Sequence, residues 1–227
     1  MDRNDQQQSD NPRCLGESEH DASTAIIHTA LDSGINVIDP ADIYAQSESE
    51  IIVGKALLGR RSDVVLGTKF HGPMDVPMGA ARGDPNKQGN FRRRIVQEVE
   101  HSQRRLQTDR IDPHQVHRPD TGTDDDDTLS ALTDLQRQGK IRAFGSSTCP
   151  AYRTVEDQRV FERRGRGRSV TGQPPCSILD RGIERDVLPV AEQFHLGVMP
   201  RSPLAGDWLT PAGSAKVRMP PKSTDHR

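Results

Sequence analysis

The chain has 227 residues, of which 32% are hydrophobic, 4% are aromatic and 28% are charged, and its formal net charge is −2. This near balance of charge provides no overall field that would attract nucleic acid or an acidic membrane. No apolar run approaches the roughly 18 residues of a membrane-spanning helix, and the length and composition indicate one domain with a sparse, aliphatic core.

The amino-terminal composition and the cysteines bear on the cellular compartment. The first 22 residues are polar and charged and contain no apolar h-region, so no secretory signal is visible. The three cysteines, Cys14, Cys149 and Cys176, are widely spaced and match neither a zinc site nor a disulfide framework. A reducing cytoplasm is therefore the expected location.

Hydrophobic periodicity predicts alternating strands and helices between two polar ends. Residues 1–13 are expected to be disordered, 14–210 to form the folded domain and 211–227 to be a polar tail. Strands are predicted at a short remnant, 13–16, and at 35–39, 63–69, 111–117, 141–146, 169–173 and 196–202. Helices are predicted at 22–31, 48–58, 124–138, 150–163 and 183–194, with a further helix whose apolar side is Ile95, Val99, Ser102 and Leu106. The loop 71–90, rich in glycine and proline, is expected to be a mobile flap.

Two local features bear on single elements. Ser47, with Glu50 three residues later, has the spacing of a capping box at the start of the second helix. Pro113 lies inside the predicted fourth strand, where it removes one ladder hydrogen bond.

Polar residues follow three of the predicted strands directly. Asp39, Lys69 and His117 each end a run of β-type residues, and Tyr44 lies shortly after Asp39. The carboxyl ends of successive strands are where a (β/α)8 barrel, or TIM barrel, places its chemistry. We therefore predict an α/β barrel in which these four residues share one site. No β-branched run follows Leu209, so the barrel is expected to be incomplete, without an eighth strand.

Seven segments, in order and spacing, carry a family resemblance: ALDSGINVIDPADIY (30–44), SESEIIVGKAL (47–57), SDVVLGTKFHGPM (62–74), HSQRRLQTDRIDPHQVHRPD (101–120), TLSALTDLQRQGKIRAFGSS (128–147), QPPCSILDRGIERDVLPVAE (173–192) and SPLAGDWLT (202–210). Over residues 12–210 the chain resembles the aldo/keto reductases, and the nearest branch is the bacterial one related to the potassium-channel β subunits. The resemblance implies a cytoplasmic enzyme that reduces a small aldehyde or ketone by hydride transfer from NADPH, which becomes NADP⁺.

The resemblance also implies that the four polar residues are the catalytic tetrad. Hydride delivered to a carbonyl carbon leaves an alkoxide that needs a proton, which Tyr44 can donate as general acid. A nearby ammonium favours the phenolate, and Lys69 would fill this place while Asp39 pairs with it. His117 would hydrogen-bond the substrate oxygen and orient the carbonyl.

The same resemblance implies cofactor contacts at later strand ends. Ser147, Thr148 and Gln173 would bind the nicotinamide carboxamide, although Thr148 stands where the family usually has Asn. Arg201 stands where the family usually has a large aromatic residue, and a guanidinium beside an oxidised, positively charged nicotinamide is electrostatically unfavourable. The pyrophosphate loop corresponds to Ser202, Leu204 and Gly206. The segment for the 2′-phosphate normally follows strand eight and is not found, so weak discrimination between NADPH and NADH is expected.

Other interpretations are weaker or remain open. His114 and His117 do not make a metal pair, because side chains three apart in a strand point to opposite faces. The basic runs 92–94 and 162–168 are not interleaved with aromatic residues, so nucleic-acid binding is not predicted. The two departures at the nicotinamide site and the missing strand favour an alternative: a degenerate, non-catalytic homologue that binds or regulates, or a fragment without function. The substrate and the oligomeric state stay open.

Overall fold

The computed structural model of the chain describes residues 17–74, 84–206 and 208–211. Within these ranges there are six α-helices: α1 Glu17–Asp32, α2 Glu48–Ala56, α3 Arg92–Arg105, α4 Asp125–Arg137, α5 Ala151–Arg164 and α6 Val187–Gln193. The same ranges contain seven strands: β1 Val37–Ile38, β2 Val65–Leu66, β3 Thr68–Phe70, β4 Ile111–Val116, β5 Ile141–Ser147, β6 Thr171–Gln173 and β7 Gly197–Val198. Short 3-10 helices occupy Tyr44–Ser47, Arg61–Asp63, Pro85–Lys87 and Gly182–Glu184.

All strand pairs are parallel, as expected for strands that are joined through helices. β1 pairs with β2, and the larger sheet has the order β3-β4-β5-β6-β7. Only Gly67 separates β2 from β3, and its N–H donates to the Ile38 carbonyl at 2.9 Å, so β2 and β3 are two parts of one strand. The described residues therefore supply six barrel strands. Each pairs with its neighbour in the chain, and no eighth strand closes the sheet within the described part.

Gly67 allows a close approach between three segments. A Cβ at this position would lie 2.8 Å from Asp39 Oδ1 and 3.2 Å from Cγ of Pro113. Pro113 lies inside β4, as predicted, and β4 keeps its pairing with β5 at this residue. On the other side the N–H of Leu66 donates to the carboxylate of Asp112 at 2.8 Å. Next to Pro113, the Asp112 carboxylate thus accepts a backbone N–H of the neighbouring strand, in place of a backbone carbonyl.

The hydrophobic core lies between the helices and the sheet. Its buried members are Val53, Leu57, Val64, Leu66, Phe70, Ile95, Val99, Leu106, Ile111, Leu129, Ala131, Leu132, Leu135, Ile141 and Phe144. The predicted apolar side of α3 is confirmed, because all four of its residues are at most 1% exposed. This core holds the strands in place and leaves their carboxyl ends available for polar side chains.

Most predicted elements form close to their predicted positions, and those at the two ends of the folded part differ most. α1 begins at Glu17 instead of residue 22. α6 spans Val187–Gln193 instead of 183–194, because Gly182–Glu184 forms a separate 3-10 helix. β7 has two residues, although an extended segment of seven was predicted.

The capping box predicted at Ser47 and Glu50 is wrong. Ser47 has a φ of 77° and makes no capping hydrogen bond, and its hydroxyl donates to the Asp42 carbonyl at 2.9 Å. Glu50 accepts from Arg105 at 2.6 Å and also from the hydroxyl of Thr68. Tertiary partners therefore replace the local cap.

Some predictions concern residues outside the described ranges: the segment 1–13, the strand remnant 13–16, the centre of the loop 71–90 at residues 75–83, and the tail from residue 212. In the part of the chain that the structure describes, no helix is long and apolar enough to cross a membrane. The same part contains no group of three or more potential metal ligands.

Candidate active site

Lys69 and Asp39 form an ion pair at the carboxyl ends of β3 and β1. Lys69 Nζ lies 2.6 Å from Asp39 Oδ2, and the lysine side chain is 1% exposed. The same ammonium donates to the carbonyl oxygens of Asp39 and Pro40, at 3.1 and 3.0 Å. These three acceptors match the three donors of an ammonium, so the buried charge is compensated.

Two glutamines complete the surroundings of Asp39. Gln115 Nε2 donates to Oδ1 at 3.3 Å, and Gln173 Nε2 donates to Oδ2. Gln115 was not predicted as a site residue. A period-two signal could have found it, because strand residues two apart face the same side and Gln115 precedes His117 by two positions.

Tyr44 lies where the chain turns from β1 towards α2. Its ring centroid is 5.2 Å from Lys69 Nζ. It is 5.7 Å from the ring centroid of His117, which it meets edge-on at 82°. The next three residues, 45–47, have φ values of 47°, 53° and 77°, so the chain bends sharply directly after the tyrosine. The side chain is 43% exposed and lies at the open side of the site.

His117 directly follows β4, with its ring towards Tyr44. Its backbone N–H donates to the carbonyl of Phe70 at 2.9 Å, which extends the pairing of β4 with β3. Burial, together with the positive charges of Lys69 and Arg118, lowers the pKa of the imidazole to about 4. The ring is therefore neutral at pH 7 and offers one N–H donor and one acceptor.

Tyr44 and His117 line a cleft of about 540 Å³. The other lining residues are Ile43, His71, Gly72, Pro73, Arg118, Thr148, Arg201 and Ser202. The volume falls within the range of small-molecule pockets. Lys69 and Asp39 are not part of this wall, and Lys69 approaches the cleft from beneath the ring of Tyr44.

Four of the residues predicted to bind the cofactor meet at the ends of β5, β6 and β7. The N–H of Thr148 and the hydroxyl of Ser147 both donate to the Gln173 carbonyl, each at 3.1 Å. Arg201 Nε donates to Thr148 Oγ1 at 3.2 Å. The amide of Gln173 is directed to Asp39, so this glutamine links the strand end to the ion pair.

The remaining three predicted cofactor residues lie in the turn after β7. Ser202 has a φ of 57° and lines the cleft. Leu204 is 52% exposed and Gly206 has a φ of 62°, and neither belongs to the cleft wall. Of this group, only Ser202 therefore joins the residues around Tyr44.

A buried ion network lies behind the turn that carries Tyr44, and sequence reasoning missed it. It runs in the order Asp42, Arg94, Glu98, Arg105 and Glu50. The carboxylate of Asp42 lies 2.9 Å from the guanidinium of Arg94, and both side chains are at most 3% exposed. The N–H of Asp42 also donates to the Lys69 carbonyl at 3.1 Å. No local sequence signal indicates this contact, because the two partners are 52 residues apart.

His114 points away from the cleft, as predicted. Its buried ring stacks on Phe70, with centroids 4.8 Å apart and an interplanar angle of 22°. Burial lowers its pKa to about 3. Neither ring nitrogen has a hydrogen-bond partner among the described residues.

Comparison with known proteins decides the family. The chain matches the Aldo/keto reductase family over residues 7–227. It belongs to this family. The aldo-keto reductase YhdN of Bacillus subtilis is 38% identical over 197 residues, which cover 86% of this chain and 56% of that protein. The oxidoreductase YrpG of the same organism is 35% identical over 209 residues, covering 86% and 63%.

A rice protein described as a probable voltage-gated potassium channel subunit beta is 33% identical over 190 residues, covering 82% of this chain and 56% of that protein. The chain thus spans less than two thirds of the length of these relatives. The (β/α)8 barrel of the aldo/keto reductases is the fold class, with six of its strands within the described residues. The chain is therefore a member of a family whose bacterial representatives, at 35–38% identity, carry the names of an oxidoreductase and an aldo-keto reductase.

Proposed function

We propose that this chain is an NADPH-dependent reductase of aldehydes or ketones with Tyr44 as its general acid. The observation that carries the proposal is the placement of the phenol ring 5.2 Å from the Lys69 ammonium and 5.7 Å from the His117 ring, at the edge of a cleft. Asp39 pairs with Lys69 beneath this ring. The oxidoreductase names of the bacterial relatives support the reaction class, and the choice of NADPH follows the family resemblance.

The side chains divide the work of a carbonyl reduction. The neutral imidazole of His117 donates its N–H to the carbonyl oxygen and orients the substrate. The hydroxyl of Tyr44 transfers its proton to that oxygen as negative charge develops there. The phenolate that remains is stabilised by the Lys69 ammonium, which Asp39 holds in place. Because Tyr44 is 43% exposed, solvent can return the proton.

The cleft suits the nicotinamide end of the cofactor. Hydroxyl and amide groups converge at the ends of β5 and β6, and the cleft of about 540 Å³ beside them has room for a small ring and a small carbonyl compound. Thr148, which lines the cleft, would hold the carboxamide, with Ser147 and Gln173 buried directly behind it. The turn after β7 would hold the pyrophosphate through Ser202, Leu204 and Gly206. Bound NADPH would supply the hydride for the carbonyl carbon.

Substitution of Tyr44 tests the proposal. Tyr44→Phe is expected to slow the NADPH-dependent reduction of 4-nitrobenzaldehyde by about 10²–10⁴-fold, the usual effect of losing a general acid. The affinity for NADPH should stay nearly unchanged, because the phenol supplies only a proton. Tyr152→Phe is the matched control: this tyrosine is on α5, 65% exposed, and its loss should leave the rate unchanged. Equal rates for Tyr44→Phe and the wild type would refute the assignment.

A non-catalytic binding or regulatory role is the second candidate, and Arg201 is the observation that favours it. Its guanidinium lines the cleft and its Nε is hydrogen-bonded to Thr148, one of the residues expected to hold the carboxamide. Positive charge at this place opposes binding of an oxidised nicotinamide. Fluorescence titrations with NADPH and NADP⁺ separate the two candidates when combined with turnover. Nucleotide binding without reduction of any aldehyde would support the second.

A further inference from the structure

The cleft is rich in positive charge and poor in negative charge. Its walls include two arginines, Arg118 directly after His117 and Arg201 after β7, and no acidic residue among those that the structure describes. The carboxylate of Asp39 is bound by Lys69, Gln115 and Gln173. The carboxylate of Asp120, whose charge acts on His71 of the cleft wall, accepts hydrogen bonds from Asn90, Gly122 and Thr123. Within the described part of the chain, the cleft wall therefore supplies no acidic side chain that pairs with either of these two guanidinium groups.

These two arginines differ from most others in the fold. Arginines such as Arg94, Arg105 and Arg153 form ion pairs with carboxylates. Neither Arg118 nor Arg201 forms one within the described residues. Arg201 is nevertheless held in place, because its Nε donates to Thr148 Oγ1 at 3.2 Å and the terminal nitrogens make no hydrogen bond to any described residue.

A held guanidinium with unused donors is well suited to an oxyanion. Its fork of N–H groups matches the two oxygens of a carboxylate or phosphate, and such charge-assisted hydrogen bonds are shorter and stronger than neutral ones. The positive field also extends to the reacting position, since the charges of Lys69 and Arg118 add to burial in depressing the pKa of His117. An anionic group on the ligand would offset this field.

We propose that the carbonyl substrate carries an anionic group, a carboxylate or a phosphate, and that Arg118 and Arg201 bind this group and set the substrate specificity. The claim that the bound anion belongs to a substrate rests on the proposed reductase function, whereas the claim that the two arginines bind an anion does not. The same oxyanion chemistry could come from the dinucleotide phosphates, so the test separates a substrate anion from a cofactor anion.

The first measurement compares two aldehydes of similar size, 4-carboxybenzaldehyde and its neutral methyl ester. We expect kcat/KM to favour the carboxylate about tenfold or more, because hydrogen bonds to charged groups are stronger than those between neutral groups. Arg118→Gln and Arg201→Gln should each lower this ratio about tenfold, and Arg201→Lys should recover part of it by keeping the charge. Arg159→Gln, an exposed change on α5, should leave the ratio unchanged. A wild-type ratio near one, or equal ratios in all variants, overturns the proposal.

The second measurement does not depend on turnover. Terephthalate, an unreactive dicarboxylate, is titrated calorimetrically into the wild type and the two glutamine variants, with and without saturating NADP⁺. We expect binding that survives NADP⁺ and weakens about tenfold in both variants. Loss of terephthalate binding on addition of NADP⁺ would assign the arginines to the cofactor and refute the proposal, as would no binding at all. Arginine-dependent binding without aldehyde reduction would keep the anion site and reject the reductase function.

Discussion

His114 provides a direct test of the structure through the pH dependence of stability. Its ring is fully buried, is stacked on Phe70 and has no hydrogen-bond partner within the described residues. His114→Phe keeps an aromatic ring of similar shape in the stack and removes two buried nitrogens. At pH 8 the variant should be at least as stable as the wild type, because an unsatisfied buried polar group costs about 1–3 kcal/mol.

The sign of the pH effect follows from the direction of the shift. Burial lowers the pKa of His114 from 6.5 in the unfolded chain to about 3 in the folded protein. Between pH 6.5 and about 3 the unfolded state therefore binds a proton that the folded state does not, so stability falls as the pH decreases through this interval. At pH 5 the unfolded imidazole is 1.5 pH units below its pKa, and each unit is 1.36 kcal/mol, which gives a loss of about 2 kcal/mol.

Urea unfolding at pH 5 and pH 8 measures this loss. The wild type contains other groups that titrate in this interval, so the relevant quantity is the change in unfolding free energy between the two pH values, compared between wild type and His114→Phe. The variant should lose about 2 kcal/mol less than the wild type. His195→Asn, which removes an exposed imidazole and keeps a residue type that tolerates the positive φ at this position, should show the same pH dependence of stability as the wild type. Parallel pH dependence in wild type and His114→Phe would show that this ring is not buried neutral against Phe70.

Two further substitutions test the packing around the site. Gly67→Ala would place a Cβ 2.8 Å from the Asp39 carboxylate, so it should lower both the melting temperature and carbonyl reduction, whereas Gly172→Ala, with nothing within 4 Å, should change neither. Arg94→Met leaves the buried carboxylate of Asp42 without its guanidinium and Glu98 with Arg105 as its one arginine partner, so it should destabilise the fold by about 3–5 kcal/mol in urea unfolding. The exposed Arg93→Met should have little effect. Equal stability of the last two variants would rule out a stabilising role for the buried network.

The sequence predicts that Asp39, Lys69 and His117 lie at strand ends, because the end of a barrel strand can be recognised from a short segment of sequence. Each residue ends a short predicted strand, and parallel strands place their carboxyl ends at one edge. The hydrogen-bond partners of these side chains cannot be recognised in the same way, because they lie far away in the sequence. Gln173 was expected to face a cofactor, and in the structure its amide is bound to Asp39. That contact joins residues 134 positions apart, and no pattern within a strand indicates it.

The failed capping box shows the same limit at Ser47 and Glu50. A serine followed by a glutamate three positions later is a good local cap only if both side chains are free to bond the backbone. Here Glu50 is fully buried and pairs with Arg105 of the neighbouring helix. A buried carboxylate gains more from a guanidinium than from a single N–H, so the tertiary contact prevails.

The turn after Tyr44 shows why these long-range contacts matter for the site. Residues 45–47 adopt positive φ without being glycine, and this backbone conformation costs about 1–2 kcal/mol per residue. It persists because Asp42, just before the tyrosine, is fixed by three contacts. Its carboxylate pairs with Arg94, its N–H donates to the Lys69 carbonyl, and its own carbonyl accepts from the Ser47 hydroxyl. Asp42 therefore connects the strained turn to the buried network, and together they hold the phenol ring of Tyr44 over the ammonium of Lys69.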